Sequence, residues 1–379
     1  MATVRAGVLS FESWIDHGAA GPDVGRGKLS ARRPTINDVA ALSGVGRGSV
    51  SRVLNDGPNV SARLRQRVLK AVEDLGYQVN VQARSLAGGM ARLLTLICAS
   101  DINSEPNSYY QSALEVGALR ACAGLGFHLA THMVTQGSGD HIDEICALIE
   151  ESRPIATVLT PPFSDDRALL DRIEKITRVV CISPGPQMKD VVYGVAMDDE
   201  AAGFAVTEAL IALGHRRFGF IQGLERHVSA EGRYRGALNA LAAHGLGPEQ
   251  MVARRGNFTF RAGRDLLPEL LEAPLRPTAI ICGNDDTAVG ALFAAHQIGL
   301  RVPADLSIAS FDDTPVSALV WPPLTTIRQP LQEMAQRAVE LVAERLKANG
   351  FAMPPPTIEY LPFTLIERGT TAPPPADAH

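Results

Sequence analysis

Arg47 is the side chain in this 379-residue sequence best placed to act on a polyanion. It opens the stretch Arg47-Gly48-Ser49-Val50-Ser51-Arg52-Val53-Leu54-Asn55, where Val50, Val53 and Leu54 recur at helical spacing and the other positions are short donors, a glycine or cations. A helix of that build lies in a DNA major groove, its first turn at base edges and its neighbours at phosphates. An arginine on the first turn can bond guanine O6 and N7 together, a pair worth about 1 to 3 kcal/mol of discrimination. Ser49, Ser51, Arg52 and Asn55 suit phosphates and neighbouring bases. A second set of polar groups, Asp101, Ser183, Gln222, Asn284 and Asp312, stands at or just beyond the ends of short apolar runs. In open parallel sheets such groups converge outside the carboxyl ends of the strands and bind small molecules.

Each set needs elements to position it. Ahead of Arg47, the run Pro34 to Leu42 predicts a short helix with Thr35 as N-cap, Asp38 at N3, and Ile36, Val39, Ala40 and, at its margin, Leu42 on one face. Ser43-Gly44-Val45-Gly46 breaks that helix, so it and the Arg47 helix form a helix-turn-helix. Asn55-Asp56-Gly57-Pro58 ends the second helix, and Ser61 caps a third that runs through Val68, Leu69, Val72 and Leu75 to Gly76. Residues 31–92 carry ten basic against four acidic groups, while residues 93–379 carry 23 against 34, so the net charge of −5 hides a basic head on an acidic body. That asymmetry points to a polyanion-binding module; the plainer reading is a small helical bundle with a solvated basic face.

Length predicts two or three compact units plus linkers, and a hydrophobic fraction of 46% with 20% charged residues is that of ordinary globular chains. The sequence lacks a run of the roughly eighteen apolar residues that cross a bilayer and a signal-peptide pattern, which places the protein in the cytoplasm, on nucleoid DNA when bound. Five widely spaced cysteines without a C-x-x-C pair read as buried, reduced core residues, and no cofactor or metal is expected. Gly44 to Gly48 and Gly21 to Leu29 are poor nucleotide-site decoys: the first follows a helix, and the second has Pro22 and Leu29 where a P-loop needs Gly and Ser or Thr. G-x-S-x-G and H-E-x-x-H are lacking, and the neighbouring acids of Asp198-Asp199-Glu200 and Asp312-Asp313 are expected to point apart, so no enzyme is expected.

From Leu93 onward apolar runs alternate with helical stretches: Leu93 to Ala99, Phe127 to Val134, Ile155 to Leu159, Val179 to Ser183, Phe218 to Gln222, Ala279 to Cys282 and Leu306 to Phe311. Alternating strand and helix predicts parallel sheet, and so many strands predict two lobes with a cleft, with a crossing near Gly214-His215-Arg216-Arg217. Leu331, Ala335, Ala338, Val342 and Leu346 share one face of a helix, read either as a dimer interface or as a lobe helix on its own sheet.

Thr35 to Ala40, Gly44-Val45, Ser49 to Asn55, Val60-Ser61 and Gly76-Tyr77 together resemble the helix-turn-helix of the lactose repressor (LacI/GalR) family. Asn80 to Gly88 is similar to that family's hinge helix, with Leu86 in the place of the leucine that wedges the minor groove and Ala83 on the same segment. The resemblance continues through Leu213-Gly214-His215, Ser229 to Gly236, Asn284-Asp285, Phe311-Asp312-Asp313 and Pro322 to Ile327, and covers about residues 34–369. It departs at Gly46, where the family has Ser or Thr, at Val79, where it has proline, and at Gly48, where a larger base reader stands; the last shifts specificity onto Arg47.

The resemblance implies an N-terminal all-α helix-turn-helix domain plus an α/β periplasmic-binding-protein-like domain of two doubly wound parallel-sheet lobes. Its expected layout is a flexible extension 1–33, DNA-binding domain 34–80, hinge 81–91, effector domain 92–369 and flexible tail 370–379. Lobe 1 is expected over about 92–214 and 330–357, and lobe 2 over about 215–329 and 358–369. By position, Arg233, Asn284 and Asp312 match the family's polar ligand contacts, Phe258 its aromatic platform, and Asp101 and Tyr109 the near-lobe wall. Trp321, before Pro322, is set at the pocket edge or at a dimer contact. Arg233 with Asp312 is alternatively a structural ion pair, and Phe258 alternatively core. Thr35, Arg47, Gly48, Ser49, Ser51, Arg52, Asn55, Ser61, Ala83 and Leu86 form the expected DNA surface. The implied function is a repressor of carbohydrate-utilisation genes, a homodimer on a pseudo-palindromic operator with a sugar effector. The competing readings are a purine-responsive regulator and a sugar receptor without a genetic role. The tail lacks leucine heptads, so a coiled-coil tetramer is not expected.

Overall fold

A computed structural model of the chain describes residues 34–54, 60–75, 92–100, 108–135, 140–348 and 354–376. The extension 1–33, Asn55, the hinge 81–91 with Ala83 and Leu86, and Asp101 lie outside the described residues. The chain divides into two compact units, one up to Arg84 and one from Ser85.

The first unit holds α1 (Ile36–Ser43), α2 (Arg47–Leu54) and α3 (Ala62–Leu75). The Thr35 amide and hydroxyl each donate to Asp38 Oδ2 at 2.7 Å, which closes the start of α1. Gly44 ends α1 at φ 63°, a left-handed conformation that favours glycine. From α3, Arg67 Nη2 donates to the carbonyls of Ser43 at 2.6 Å and Gly44 at 3.2 Å, satisfying the end of α1 and fixing the turn into α2. Val39, Val50, Val53, Val68 and Ala71 fill the core. Leu42, at the margin of the expected α1 face, and Leu69 are 54% and 49% exposed; Val39 and Ser43 of α1 and Val68 and Ala71 of α3 take the buried positions.

The second unit contains two six-stranded sheets. The first lobe carries β1 (Leu93–Ser100), β2 (His128–Thr135), β3 (Ala156–Leu159), β4 (Arg178–Ile182) and β5 (Gly194–Met197), with α4 (Ser108–Leu125), α5 (His141–Ser152) and α6 (Arg167–Ile173) between them. The second lobe carries α7 (Asp199–Ala212), β6 (Phe218–Gln222), α8 (Val228–Ala243), β7 (Met251–Arg255), α9 (Phe260–Leu271), β8 (Ala279–Cys282), α10 (Asp285–Gln297), β9 (Ser307–Asp312), α11 (Pro315–Leu319) and β10 (Thr325–Arg328). The chain then returns as α12 (Leu331–Lys347) and β11 (Ile358–Leu361) to the first sheet, and ends with β12 (Thr364–Ile366) in the second. The sheet orders are β11-β5-β4-β3-β1-β2 and β12-β10-β9-β8-β6-β7, parallel except for β12 against β10. The expected two-lobed α/β architecture is therefore present.

Three expectations need correction. The first crossing lies at Asp198, before α7, because α7 packs on α8 and on β10 and β12 of the second lobe. Gly214-His215 is not a crossing. His215 is buried in the second lobe, its Nδ1 2.8 Å from Thr278 Oγ1 and its Nε2 2.9 Å from the Ala372 carbonyl. Residues 358–361 belong to the first sheet, paired in parallel with β5, so the last crossing falls at 362–363. Residues 370–376 are anchored rather than loose: Thr370 is fully buried, and its hydroxyl accepts from the Thr325 amide at 2.8 Å while its carbonyl accepts from Ile308. Backbone groups of an extended tail need partners, and β9 and β10 supply them.

The α12 stripe is settled in favour of the lobe. Leu331, Ala335, Ala338 and Val342 are buried against α4, β4 and β5, so this face is not available to a second copy. All five cysteines are buried thiols, and burial pushes Cys98 and Cys122 up to about 11.

Candidate functional site

On α2, Arg47, Gly48 and Arg52 are exposed, Ser49 and Ser51 half-buried, and Val50 and Val53 buried. A Cβ built on Gly48 would meet open space, so the first turn presents Arg47 without a neighbouring side chain at 48. Ser61 Oγ accepts from the Leu64 amide at 3.3 Å and caps α3.

The polar groups of the second unit gather where the chain first crosses between lobes. Two close approaches set the geometry. A Cβ on Gly203 of α7 would stand 2.0 Å from the Arg233 carbonyl, and one on Gly236 of α8 would stand 1.9 Å from the Glu200 carbonyl. Only glycine lets the two helices meet this closely, and the contact brings Asp199, the first residue of α7, to Arg233 of α8. Arg233 is buried; its Nε donates to Asp199 Oδ1 at 2.8 Å, its Nη1 to the Gly283 carbonyl at 2.7 Å, and Nη1 lies 3.7 Å from Asp312 Oδ1. The guanidinium also covers the Phe311 ring at 4.7 Å.

Asp312 ends β9 at φ 116°, a left-handed conformation costly for a non-glycine residue, and its carboxyl also accepts from Gln329 Nε2. Burial, outweighing the attraction of Arg233, pushes Asp312 up to about 8. From the first lobe, the Tyr110 hydroxyl comes near the Ser183 side chain, Asp199 and Asp312; burial, first among the causes, holds its ionisation far above the ordinary range. The Phe258 ring lies against Gly223, where a Cβ would stand 1.9 Å from its Cζ, and meets the His227 imidazole edge-on at 5.2 Å. Burial, with Arg233 nearby, pushes His227 down to about 4, so its ring is neutral, and its buried Nδ1 has no hydrogen-bond partner among the described residues.

A cavity of about 500 Å³ opens beside this cluster. Ser183 to Pro186 and Tyr360 come to it from the first lobe, Asp198 to Ala201 from the crossing, and Ser229, Gly232, Arg235 and Asn239 from α8. The three consecutive acids point three ways, as their spacing predicted. Asp198 Oδ1 accepts from the Ala201 amide, Asp199 holds Arg233, and Glu200 takes Arg235 Nε at 2.6 Å and Asn239 Nδ2 at 2.7 Å. Asp312 and Asp313 likewise diverge, with Asp313 bound to Arg328 and Arg368.

Residues 35–80 match the family model of bacterial regulatory proteins, lacI family, and residues 207–371 match that of a periplasmic binding protein-like domain. The transcriptional regulator GalR of Salmonella typhimurium is 32% identical over 353 residues, spanning 91% of this chain and 98% of its own. The chain belongs to the lacI family of bacterial regulatory proteins. Among solved structures, a lac repressor dimer bound to operator and the anti-inducer ONPF superposes with a TM-score of 0.71 at 26% identity, over 90% of this chain and all of that one. A CelR–cellobiose complex gives 0.67 at 27% identity, over 89% of this chain and all of that one. The chain is a DNA-binding transcriptional regulator.

The residues expected in this regulator's pocket are brought together unevenly. Arg233, Asp312 and Phe311 meet directly, and the expected Arg233–Asp312 pair is real but shared with Asp199. Asn284 is buried as the N-cap of α10; its Oδ1 accepts from the Thr287 amide, and its Nδ2 donates to the Phe258 carbonyl at 2.9 Å, which ties the Phe258 backbone to the start of α10. Phe258 is half-buried rather than core. Tyr109 is half-buried against the lobe core, whereas its neighbour Tyr110 reaches the polar cluster. Trp321 is 84% exposed, two positions from the 81% exposed Leu319, so its side chain is on the surface rather than lining the cavity.

Asp199, Gln329, Tyr110 and His227 were missed. The i, i+4 series Tyr110, Leu114, Ala118 signals the inward face of α4, but nothing local signals a contact between Asp199 and Arg233, 34 residues apart.

Proposed function

We propose that this regulator represses carbohydrate-utilisation genes, binding a pseudo-palindromic operator as a homodimer and changing its operator affinity when a sugar occupies the lobe junction. The junction carries this reading. A guanidinium, carboxyls, a phenol and an amide gather near the half-buried ring of Phe258, and such groups bond vicinal hydroxyls while a ring covers the apolar side of a sugar. The fold-level likeness to a CelR–cellobiose complex supports the same ligand class.

At the head, Arg47 reads base edges, with Ser49, Ser51, Arg52 and Asn55 on neighbouring bases and phosphates and Thr35 and Ser61 at the helix starts facing the backbone. The segment 81–91, with Ala83 and Leu86, couples the sugar to DNA by ordering on the operator. One head offers too little surface for tight specific binding, which calls for a two-fold pair, and the exposed Leu319 and Trp321 are the apolar surface offered to the second copy.

The test is selection of a preferred duplex from a random pool, followed by titration of sugars into the purified complex. A pseudo-palindromic preference whose affinity shifts on sugar addition is expected, and the direction of the shift separates induction from co-repression. A protein that prefers no duplex over random competitor, with or without sugar, overturns the proposal.

A further inference from the structure

The charges around the junction do not balance in favour of an anion. Arg233 is held by Asp199 at 2.8 Å; Asp312, 3.7 Å away and pushed up to about 8 by burial, adds little negative charge near neutral pH, so Asp199 is the carboxylate that faces this guanidinium. Arg235, the cation lining the adjoining cavity, already holds Glu200 at 2.6 Å, while Asp198, Asp199 and Glu200 line the same wall. The His227 ring, edge-on to Phe258, is kept neutral by burial and by Arg233, so it adds no positive charge. A ligand phosphate or carboxylate drawn to either guanidinium would therefore stand against carboxylates already in hydrogen-bond contact with it. Hydroxyl groups meet no such penalty, since each carboxylate has lone pairs left to accept from them.

Resting on the sugar reading above, we propose that the junction selects an uncharged polyhydroxyl effector over its phosphorylated or carboxylated counterpart, and that Asp199 sets this preference. Asp199 is the residue whose charge decides the matter, because it occupies the Nε edge of Arg233 that an anion would otherwise take. Replacing it with the isosteric amide keeps the shape and an acceptor at Arg233 Nε but removes the negative charge that repels an anionic group.

The experiment is calorimetry on the full chain with glucose, galactose, cellobiose and maltose, and with glucose 6-phosphate, galactose 6-phosphate, glucuronate and galacturonate as the anionic counterparts. The expected result is that a neutral sugar binds and its anionic counterpart binds at least about tenfold more weakly, with Asp199→Asn narrowing that gap by about tenfold. An anion that matches or exceeds its neutral counterpart on the unaltered protein, or a gap that Asp199→Asn leaves unchanged, overturns the inference and leaves the sugar reading standing. Should Asp199→Asn not fold, Glu200→Gln on the half-exposed rim must narrow the gap in the same sense by about threefold; no narrowing overturns the inference equally. A protein that binds no sugar in either charge state removes the sugar reading itself, and this inference with it.

Discussion

The reading helix and the lobe junction place functional side chains in opposite relations to the fold. On α2 the groups offered to a partner, Arg47 and Arg52, stand in solvent, while a separate set, Val50 and Val53, holds the helix down. At the junction the same residues do both jobs. Arg233 is buried among Asp199, Asp312, Gly283 and Phe311, and Asn284 both caps α10 and fixes Phe258. Recognition and stability are separable in the head and fused in the junction, so substitutions in the two regions are expected to act on different measurements.

Arg233→Met presses hardest on that contrast. The methionine leaves the Asp199 carboxylate and the Gly283 carbonyl without their donor, which is expected to destabilise the second unit by about 3 kcal/mol or more and to abolish sugar binding together with it. Chemical denaturation and calorimetry on the same preparation check both effects. Full stability with lost binding would show the junction to be as separable as the head.

A smaller effect follows from the Asp312 carboxyl, raised from 3.8 to about 8 by burial. A raised carboxyl pKa means that the folded state holds a proton the unfolded chain releases. Its contribution is fully present below pH of about 4 and is lost as pH rises through about 8. Denaturation midpoints are expected to fall across that window, and Asp312→Asn is expected to flatten the fall. An Asp312→Asn profile parallel to that of the unaltered protein would place the titration elsewhere, with Asp285, raised to about 6 by burial, as the next group to replace.

How far the sequence speaks depends on whether a feature is local. Seven apolar runs marked strands of both sheets, and the Thr35–Asp38 box, the Gly44 turn and the Ser61 cap are written in contiguous residues. β5, β7, β10, β11 and β12 were passed over because small, polar or charged residues break their apolar runs, as in Met251-Val252-Ala253-Arg254-Arg255 and Thr325-Thr326-Ile327-Arg328, whereas the equally short β3 and β8 are continuously apolar or nearly so. The crossing at Asp198 was misplaced for a related reason. α7 is assigned to the second lobe by its packing on α8, through Gly203 and Gly236, and not by its own composition. Similarly, Asp285 gives no hint in its surroundings that it will collect the Ser310 and Thr326 hydroxyls and the Thr314 amide from distant positions. The resemblance located Arg233 and Asp312 by position, but only the folded chain brings Asp199 and Tyr110 to them.

The least disturbance of the fold is expected at Arg47. Its side chain is exposed on the first turn of α2, and the helix is held by the buried Val50 and Val53 and by the turn that Arg67 clamps from α3. Arg47→Ala should therefore leave the denaturation midpoint within about 0.5 kcal/mol of the unaltered protein, as surface substitutions do. Operator affinity should nonetheless fall by about 1 to 3 kcal/mol, with discrimination relaxed at the guanine that Arg47 faces. Binding measured at several salt concentrations separates base reading from phosphate attraction. Loss of a base contact lowers affinity for the selected site and leaves random-duplex binding and the salt slope unchanged, whereas loss of a phosphate contact weakens both duplexes and reduces the slope by about one. If both duplexes weaken alike, Arg47 holds the backbone, and the reading of sequence passes to Ser49, Ser51 and Arg52 on the same helix.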